Sequence, residues 1–187
     1  MGRPPRDFTP GGTYHLFSRG SNRGAIFRFD SDHVDFLDCL ERVVRRHDLV
    51  CLAYCLMPNH YHLVVATPDG ALSDAMKALN GRYSLRFNRR YGRDAHLFKN
   101  RFGAVAQRTE SQLLWTLGYV VRNPLEAGLC TDPAEWMWSS YRASVGDVKP
   151  PRLLALARLL AFFADEPKLA MSRFRAYVES WAYPNGV

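Results

Sequence analysis

The amino-acid order predicts an α+β domain: a ferredoxin-like antiparallel sheet with helices packed on one face, followed by a C-terminal helical appendage. Three observations predict it. Apolar residues switch between a period of two and a helical period in the order strand, helix, strand, strand, helix, strand, helix. Two apolar runs, Leu49 to Met57 and His60 to Thr67, are separated only by Pro58-Asn59, as a pair of buried antiparallel strands joined by a tight turn requires. Beyond Val145 the composition shifts through Pro150-Pro151 to Leu- and Ala-rich helix with an aromatic tail, Phe174, Tyr177 and Trp181. Residues 1–145 are therefore expected to form the domain and 146–187 the appendage.

The first strand is Tyr14 to Ser18, aromatic, short and preceded by the turn signal Pro10-Gly11-Gly12. A Gly/Asn/Arg loop follows it. From an N-cap at Ser31, Val34, Leu37, Leu40, Val43 and Val44 recur at helical spacing to about His47, with Asp32 and Asp35 in the first turn where the helix dipole favours carboxylates. The hairpin comes next. Ser73 then caps a helix that carries Met76, Leu79, Tyr83 and Phe87 inward and ends near Gly92. Phe102 to Ala106 supplies a fourth strand. Thr109 and Gln112 form a capping-box pattern for a last helix through Leu113, Leu117 and Val120, which Pro124 should stop near Asn123.

At 187 residues, 47% hydrophobic and 13% aromatic, the chain is long and apolar enough for a packed core, which excludes a disordered or low-complexity protein. Its formal charge of +7 favours a polyanion as partner. The excess is confined to residues 80–108. There Arg82, Arg86, Arg89, Arg90, Arg93, Lys99, Arg101 and Arg108 face Asp94 alone and interleave with Tyr83, Phe87, Tyr91, Phe98 and Phe102. A groove that neutralises phosphates and stacks bases needs this mixture. A packed helix with solvated arginines gives the same pattern. Cys39, Cys51, Cys55 and Cys130 lack both the paired spacing of a zinc site and the density of a disulfide scaffold, so they are expected to be reduced. The start, MGRPPRDFTPGG, has no apolar leader core, and the stretch Leu153 to Ala164 is short and contains Arg158. A cytoplasmic protein with no membrane partner is the expectation.

His60 and His62 sit two apart on a strand, so both imidazoles share one face while Tyr61, Leu63 and Val65 turn into the core. The histidines are expected at a polar surface beside the basic segment, where they can share one cation or be two histidines on a sheet face. With no thiolates to close the site, a cation there would be open to water or a substrate oxygen. No nucleophile elbow, phosphate-binding loop or metalloprotease helix motif is present. Tyrosine remains as a nucleophile. Tyr119 stands four residues before Asn123, so a phenol and an amide oxygen share a helix face; packing among Leu117, Val120 and Val121 is the alternative reading.

The segments YHLFSRGSNR, AYCLMPNHYHLVV, LNGRYSLRFNRRYG, HLFKNRF, LGYVVRNPLEAGL and WMWSSYRA, in this order over about residues 9–145, resemble the single-tyrosine HUH transposases, and within them the REP-associated tyrosine transposases. The resemblance implies the HUH endonuclease fold and a metal-dependent endonuclease and strand transferase acting on single-stranded DNA at hairpin-forming repeats. It maps the two motif histidines onto His60 and His62, the catalytic tyrosine onto Tyr119 and the third ligand onto Asn123. With it go a 5′-phosphotyrosine intermediate with a free 3′-OH and no need for ATP; imidazole and amide ligands in an open site suit a divalent ion, Mg²⁺ or Mn²⁺, and imidazole also accepts Zn²⁺, Co²⁺ or Ni²⁺. Arg82, Arg86, Arg89, Arg90, Lys99, Arg101 and Arg108 are then the expected DNA contacts, with Arg19 and Arg23 nearer the site, in a monomer or homodimer. Two rivals share the residues. One is a catalytically inactive protein of the same fold that binds single-stranded DNA or RNA, and the other a metal-dependent hydrolase of small phosphoesters, which has no use for the basic segment.

Overall fold

The computed structural model describes residues 8–181, so the leader reading over residues 1–7 lies outside the described residues. Four strands, β1 (Thr13–Arg19), β2 (Val50–Met57), β3 (His60–Ala66) and β4 (Gly103–Ala106), form one antiparallel sheet in the order β2-β3-β1-β4. This is the ferredoxin-like order, reached because β2 and β3 form a hairpin and β1 pairs with both β3 and β4. Alternation in the central strands sorts two sets of side chains. Leu16, Leu56, Tyr61, Leu63 and Val65 enter one core; Ala53, Cys55, Met57 and Val64 enter another.

The sheet is therefore covered on both faces, where helices on one face were expected. Helices α1 (Asp30–Arg46) and α2 (Leu72–Tyr91) close the first core. The second is closed by α3 (Glu110–Glu126), together with the single-turn helix α4 (Tyr141–Ser144), α5 (Leu156–Leu160) and α6 (Pro167–Ser180). Apolar residues on both faces of β2 and β3 demand this, because a face left bare would expose Ala53, Met57 and Val64 to water. The segment after residue 146 thus shares a core with β2 and α3: Leu159, Phe174 and Val178 are fully buried in it.

Local differences from the sequence reading have identifiable causes. Helix α1 begins at Asp30 behind Phe29 rather than at a Ser31 cap, because the Asp32 carboxylate accepts from the Arg28 and Phe29 backbone N–H groups. Its buried side is His33, Phe36, Cys39, Leu40 and Val43, while Val34 is half exposed. Ala71, not Ser73, precedes α2, whose inward residues Met76, Leu79, Tyr83 and Phe87 are fully buried. Thr109 does cap α3, its hydroxyl accepting from Gln112 N at 3.1 Å. The helix passes Pro124 to reach Glu126. A proline so near the end forfeits one hydrogen bond and its fixed φ is helical, and Ala127 N–H still reaches the Asn123 carbonyl at 3.0 Å. The four cysteines are free, and no helix among the described residues is long and apolar enough to cross a membrane.

Candidate active site

The strand period brings His15, Phe17 and Arg19 of β1 to the same sheet face as His60 and His62 of β3, with Phe17 opposite His62 and Arg19 opposite His60. Helix α3 crosses this face, and its i, i+4 spacing turns Trp115, Tyr119 and Asn123 toward the histidines. The result is a cleft of about 730 Å³ lined by these residues and by Gln107, Gln112, Thr116 and Glu126.

Inside the cleft the distances are short. His60 Nε2 lies 3.3 Å from Asn123 Oδ1, and His60 Nδ1 lies 2.6 Å from Asn59 Oδ1. His62 Nδ1 lies 2.8 Å from His15 Nε2. The Tyr119 ring stands edge-on to His62, centroids 5.4 Å apart, and edge-on to His15 at 5.8 Å. Trp115 covers the other side of Tyr119, stacked at 5.5 Å. The end of the chain supports this arrangement from behind. Trp181 packs on Trp115 at 5.3 Å and donates its indole N–H to the Trp115 carbonyl, and Arg122 donates to the Val178 carbonyl.

Burial keeps the imidazoles neutral. It lowers His15 to about 4 and lowers His62 well below the ordinary imidazole value, with the nearby His15, His60 and Arg19 acting in the same direction. His60 is lowered by burial, with Arg19 adding to the depression, against the Asn123 amide oxygen, which favours the charged form because only a protonated Nε2 can donate to it. Neutral rings expose the lone pairs that ligation needs. Among the described residues no group of three His, Cys, Asp or Glu side chains is disposed to hold a metal ion; the His60 and His62 imidazoles and the Asn123 amide oxygen share the cleft as nitrogen and oxygen donors. Cis ligands of an octahedral ion at 2.0–2.1 Å stand about 3 Å apart, close to the His60–Asn123 spacing.

The structure thus gathers His60, His62, Tyr119, Asn123 and Arg19 in one cleft, but of the basic segment only its last residues, Val105 and Gln107, reach that cleft. Helix α2 lies on the opposite sheet face. Arg86 is paired with Asp35 at 3.1 Å, and Arg90 with Asp32 and Asp35, all on α1. The rings meant for base stacking are core: Tyr83, Phe87 and Phe102 are buried, and Tyr91 and Phe98 pack against them. Burying a ring removes most of its area from water, which outweighs leaving it as an exposed platform. Lys99 and Arg101 line a second cleft, about 870 Å³, between α2 and residues 94–102. Arg82, Arg89 and Arg108 are exposed, as is Arg23, whose backbone carbonyl accepts from Asn59 Nδ2.

Sequence reasoning missed His15, Asn59, Trp115 and the Trp181 support. Two of them carried a usable signal: His15 alternates with buried Tyr14 and Leu16, and Trp115 precedes Tyr119 by four residues.

The fold has a solved counterpart: a REP-associated tyrosine transposase bound to a REP hairpin superposes with a TM-score of 0.65 at 19% identity, over 78% of this chain and 86% of that one. Residues 9–123 match the family described as Transposase IS200 like, and the chain belongs to that family. A Haemophilus influenzae protein assigned to the REP-associated tyrosine transposases is 23% identical over 151 residues, 75% of this chain and 85% of the relative.

Proposed function

We propose that this transposase cleaves and rejoins single-stranded DNA beside hairpin-forming repeats, with Tyr119 as the nucleophile and with His60, His62 and Asn123 holding one divalent ion, Mg²⁺ or Mn²⁺. The observation that carries the reading is the convergence of the Tyr119 phenol, two neutral imidazoles and the Asn123 amide oxygen in one open cleft. Membership of the family and the hairpin bound to the fold relative support the substrate class.

When bound, the ion supplies a Lewis acid that polarises the scissile phosphate. The chain's own residues do the rest. Trp115 and His62 hold the Tyr119 ring between a stacked face and an edge, which restricts the direction in which its oxygen can approach phosphorus. The phenol oxygen bonds to phosphorus, the P–O3′ bond breaks, and the phenolic proton passes to water while the leaving 3′ oxygen takes one up. The product is a 5′-phosphotyrosine and a free 3′-OH. Attack by another 3′-OH reverses the step and joins strands without ATP. Arg19, exposed on the cleft wall, is the guanidinium assigned to the reacting phosphate, and the exposed Arg23 and Arg108 are assigned to the flanking strand. Exposed Arg82 and Arg89, with Lys99 and Arg101 on the wall of the second cleft, are assigned to the duplex of the hairpin. Arg86 and Arg90 serve the α1–α2 contact.

The test is covalent capture. Hairpin DNA with a labelled single-stranded flank, incubated with the protein and Mn²⁺, should give an adduct that survives a denaturing gel, and proteolysis should leave the nucleotide on the Tyr119 peptide. Binding without an adduct overturns the reading in favour of a binding protein.

A further inference from the structure

An imidazole nitrogen can hold a cation only where it carries no proton, and a neutral ring leaves one nitrogen bare. Which one is bare is set by the partner of the other.

Behind His60 the proton can be traced to a group that has no choice. The Arg23 carbonyl only accepts, so the Asn59 atom 3.2 Å from it is the amide NH₂. Arg23 and Asn22 both have positive φ, and Gly24 N–H closes the same turn onto the Ser21 carbonyl, so the Arg23 carbonyl belongs to a tightly wound loop. The other end of the Asn59 amide is then an acceptor. It lies 2.6 Å from His60 Nδ1, which must carry the proton. His60 Nε2 is left bare, facing Asn123 Oδ1 at 3.3 Å, so two lone-pair donors converge on one space.

His62 is governed by His15, whose Nε2 is 2.8 Å from His62 Nδ1. One proton lies between them. If it sits on His62 Nδ1, His62 Nε2 is bare and can ligate; if it sits on His15 Nε2, His62 Nε2 is protonated and cannot. His15 projects from β1 diagonally across from His62, next to Val64 in the register, so the pair is fixed by strand pairing rather than by a flexible loop.

We propose that His15 and Asn59 are positioning residues that hold His62 and His60 as Nδ1–H tautomers, leaving both Nε2 atoms free as ligands. This rests on the metal-dependent reading above and adds the residues that prepare its ligands. His15 uses an imidazole where carboxylates or backbone carbonyls usually serve.

The experiment has two readouts. In the metal-free protein labelled with ¹⁵N-histidine, long-range ¹H–¹⁵N spectra report the tautomers directly, and both His60 and His62 should be Nδ1–H. His15→Phe keeps a ring but removes the acceptor, and it should move His62 toward Nε2–H; Asn59→Ala should do the same to His60. Mn²⁺ affinity, measured by titration, should fall about 10–100-fold in each variant, and His15→Gln, which restores an acceptor, should recover part of it. Near-ultraviolet circular dichroism identifies variants that keep the native packing. An Nε2–H proton on His60 or His62 in the wild type overturns the proposal whatever the variants do. So does wild-type Mn²⁺ affinity in folded His15→Phe and Asn59→Ala when His60→Ala abolishes binding. Equal affinity in the wild type and His60→Ala overturns instead the metal-dependent reading itself.

Discussion

Trp115 lies parallel to Tyr119, the planes 8° apart and the centroids separated by 5.5 Å, and the indole of Trp181 presses on α3 from behind at Gly118. A stacked neighbour four residues away fixes the phenol on the side that the histidines leave open. The chain's last described residue therefore sets the position of a ring in the histidine-lined cleft.

Gly118 makes that contact possible, and its replacement is the first prediction. A Cβ there would stand 2.2 Å from Trp181 Cδ1 and 2.6 Å from its Nε1, so the indole must move away and take its hydrogen bond to the Trp115 carbonyl with it. Gly118→Ala gains helix propensity but overpacks a buried contact, and it should cost about 1–3 kcal/mol in denaturant unfolding. Adduct formation should slow more than hairpin binding weakens. A variant as stable as the wild type would show that Trp181 is not held against α3.

The arginines separate by their partners. Arg86 and Arg90 are tied to Asp35 and Asp32, whereas Arg19 stands on the cleft wall opposite His60. Arg19→Ala should flatten the plot of log affinity against log salt for single-stranded DNA by about 0.7, the share of one phosphate contact. The double variant Arg86→Ala, Arg90→Ala should leave that slope unchanged and lower stability by on the order of 1 kcal/mol. A reversed result would return α2 to the DNA-binding face.

Legibility in the sequence followed the range of the interactions. A period of two put His60 and His62 on one face, and i, i+4 spacing paired Tyr119 with Asn123, because both depend only on neighbours in the chain. The sheet elements were legible for the same reason. His15 was not, since its meeting with His62 needs the β1–β3 register. The fate of Arg86 and Arg90 hung on Asp35 and Asp32, more than fifty residues away. Consecutive apolar residues in α1 admitted two helical phases, and the sheet chose the one that buries Phe36 and exposes Val34.

Asp32 gives the pH dependence. Burial alone would raise its carboxyl, but the Arg28 backbone N–H, the Tyr91 hydroxyl, the Arg90 guanidinium and the Phe29 backbone N–H together hold it below the ordinary carboxylate value. A depressed folded value means that the carboxylate's stabilisation is complete above the unfolded value, about 4, and is lost as pH falls through the lower folded one. Wild-type stability should therefore decline below about pH 4. Asp32→Asn should be less stable at pH 7 and should decline less steeply over that acid range, as read by urea unfolding at a series of pH values. Parallel curves for the two proteins would remove Asp32 as the cause.

Tyr119→Phe tests the chemistry through one oxygen atom. The ring stays, and with it the stack on Trp115 and the edge contacts with His62 and His15, so the variant should fold with near-wild-type stability. The residues assigned to the metal and to DNA are untouched, so Mn²⁺ and hairpin DNA should bind as before. What is lost is the atom that bonds to phosphorus, and with it the covalent adduct and every joined strand. Water admitted to the cleft can still hydrolyse the phosphodiester slowly, so residual cleavage without an adduct agrees with Tyr119 as nucleophile. An adduct formed by Tyr119→Phe points to another tyrosine. Tyr83, on the basic helix, is a poor substitute: its ring is buried, its hydroxyl donates to the Ile26 carbonyl, and burial drives its ionisation far above that of a free phenol. Mapping the modified peptide would identify the residue, and any position other than 119 would overturn the assignment.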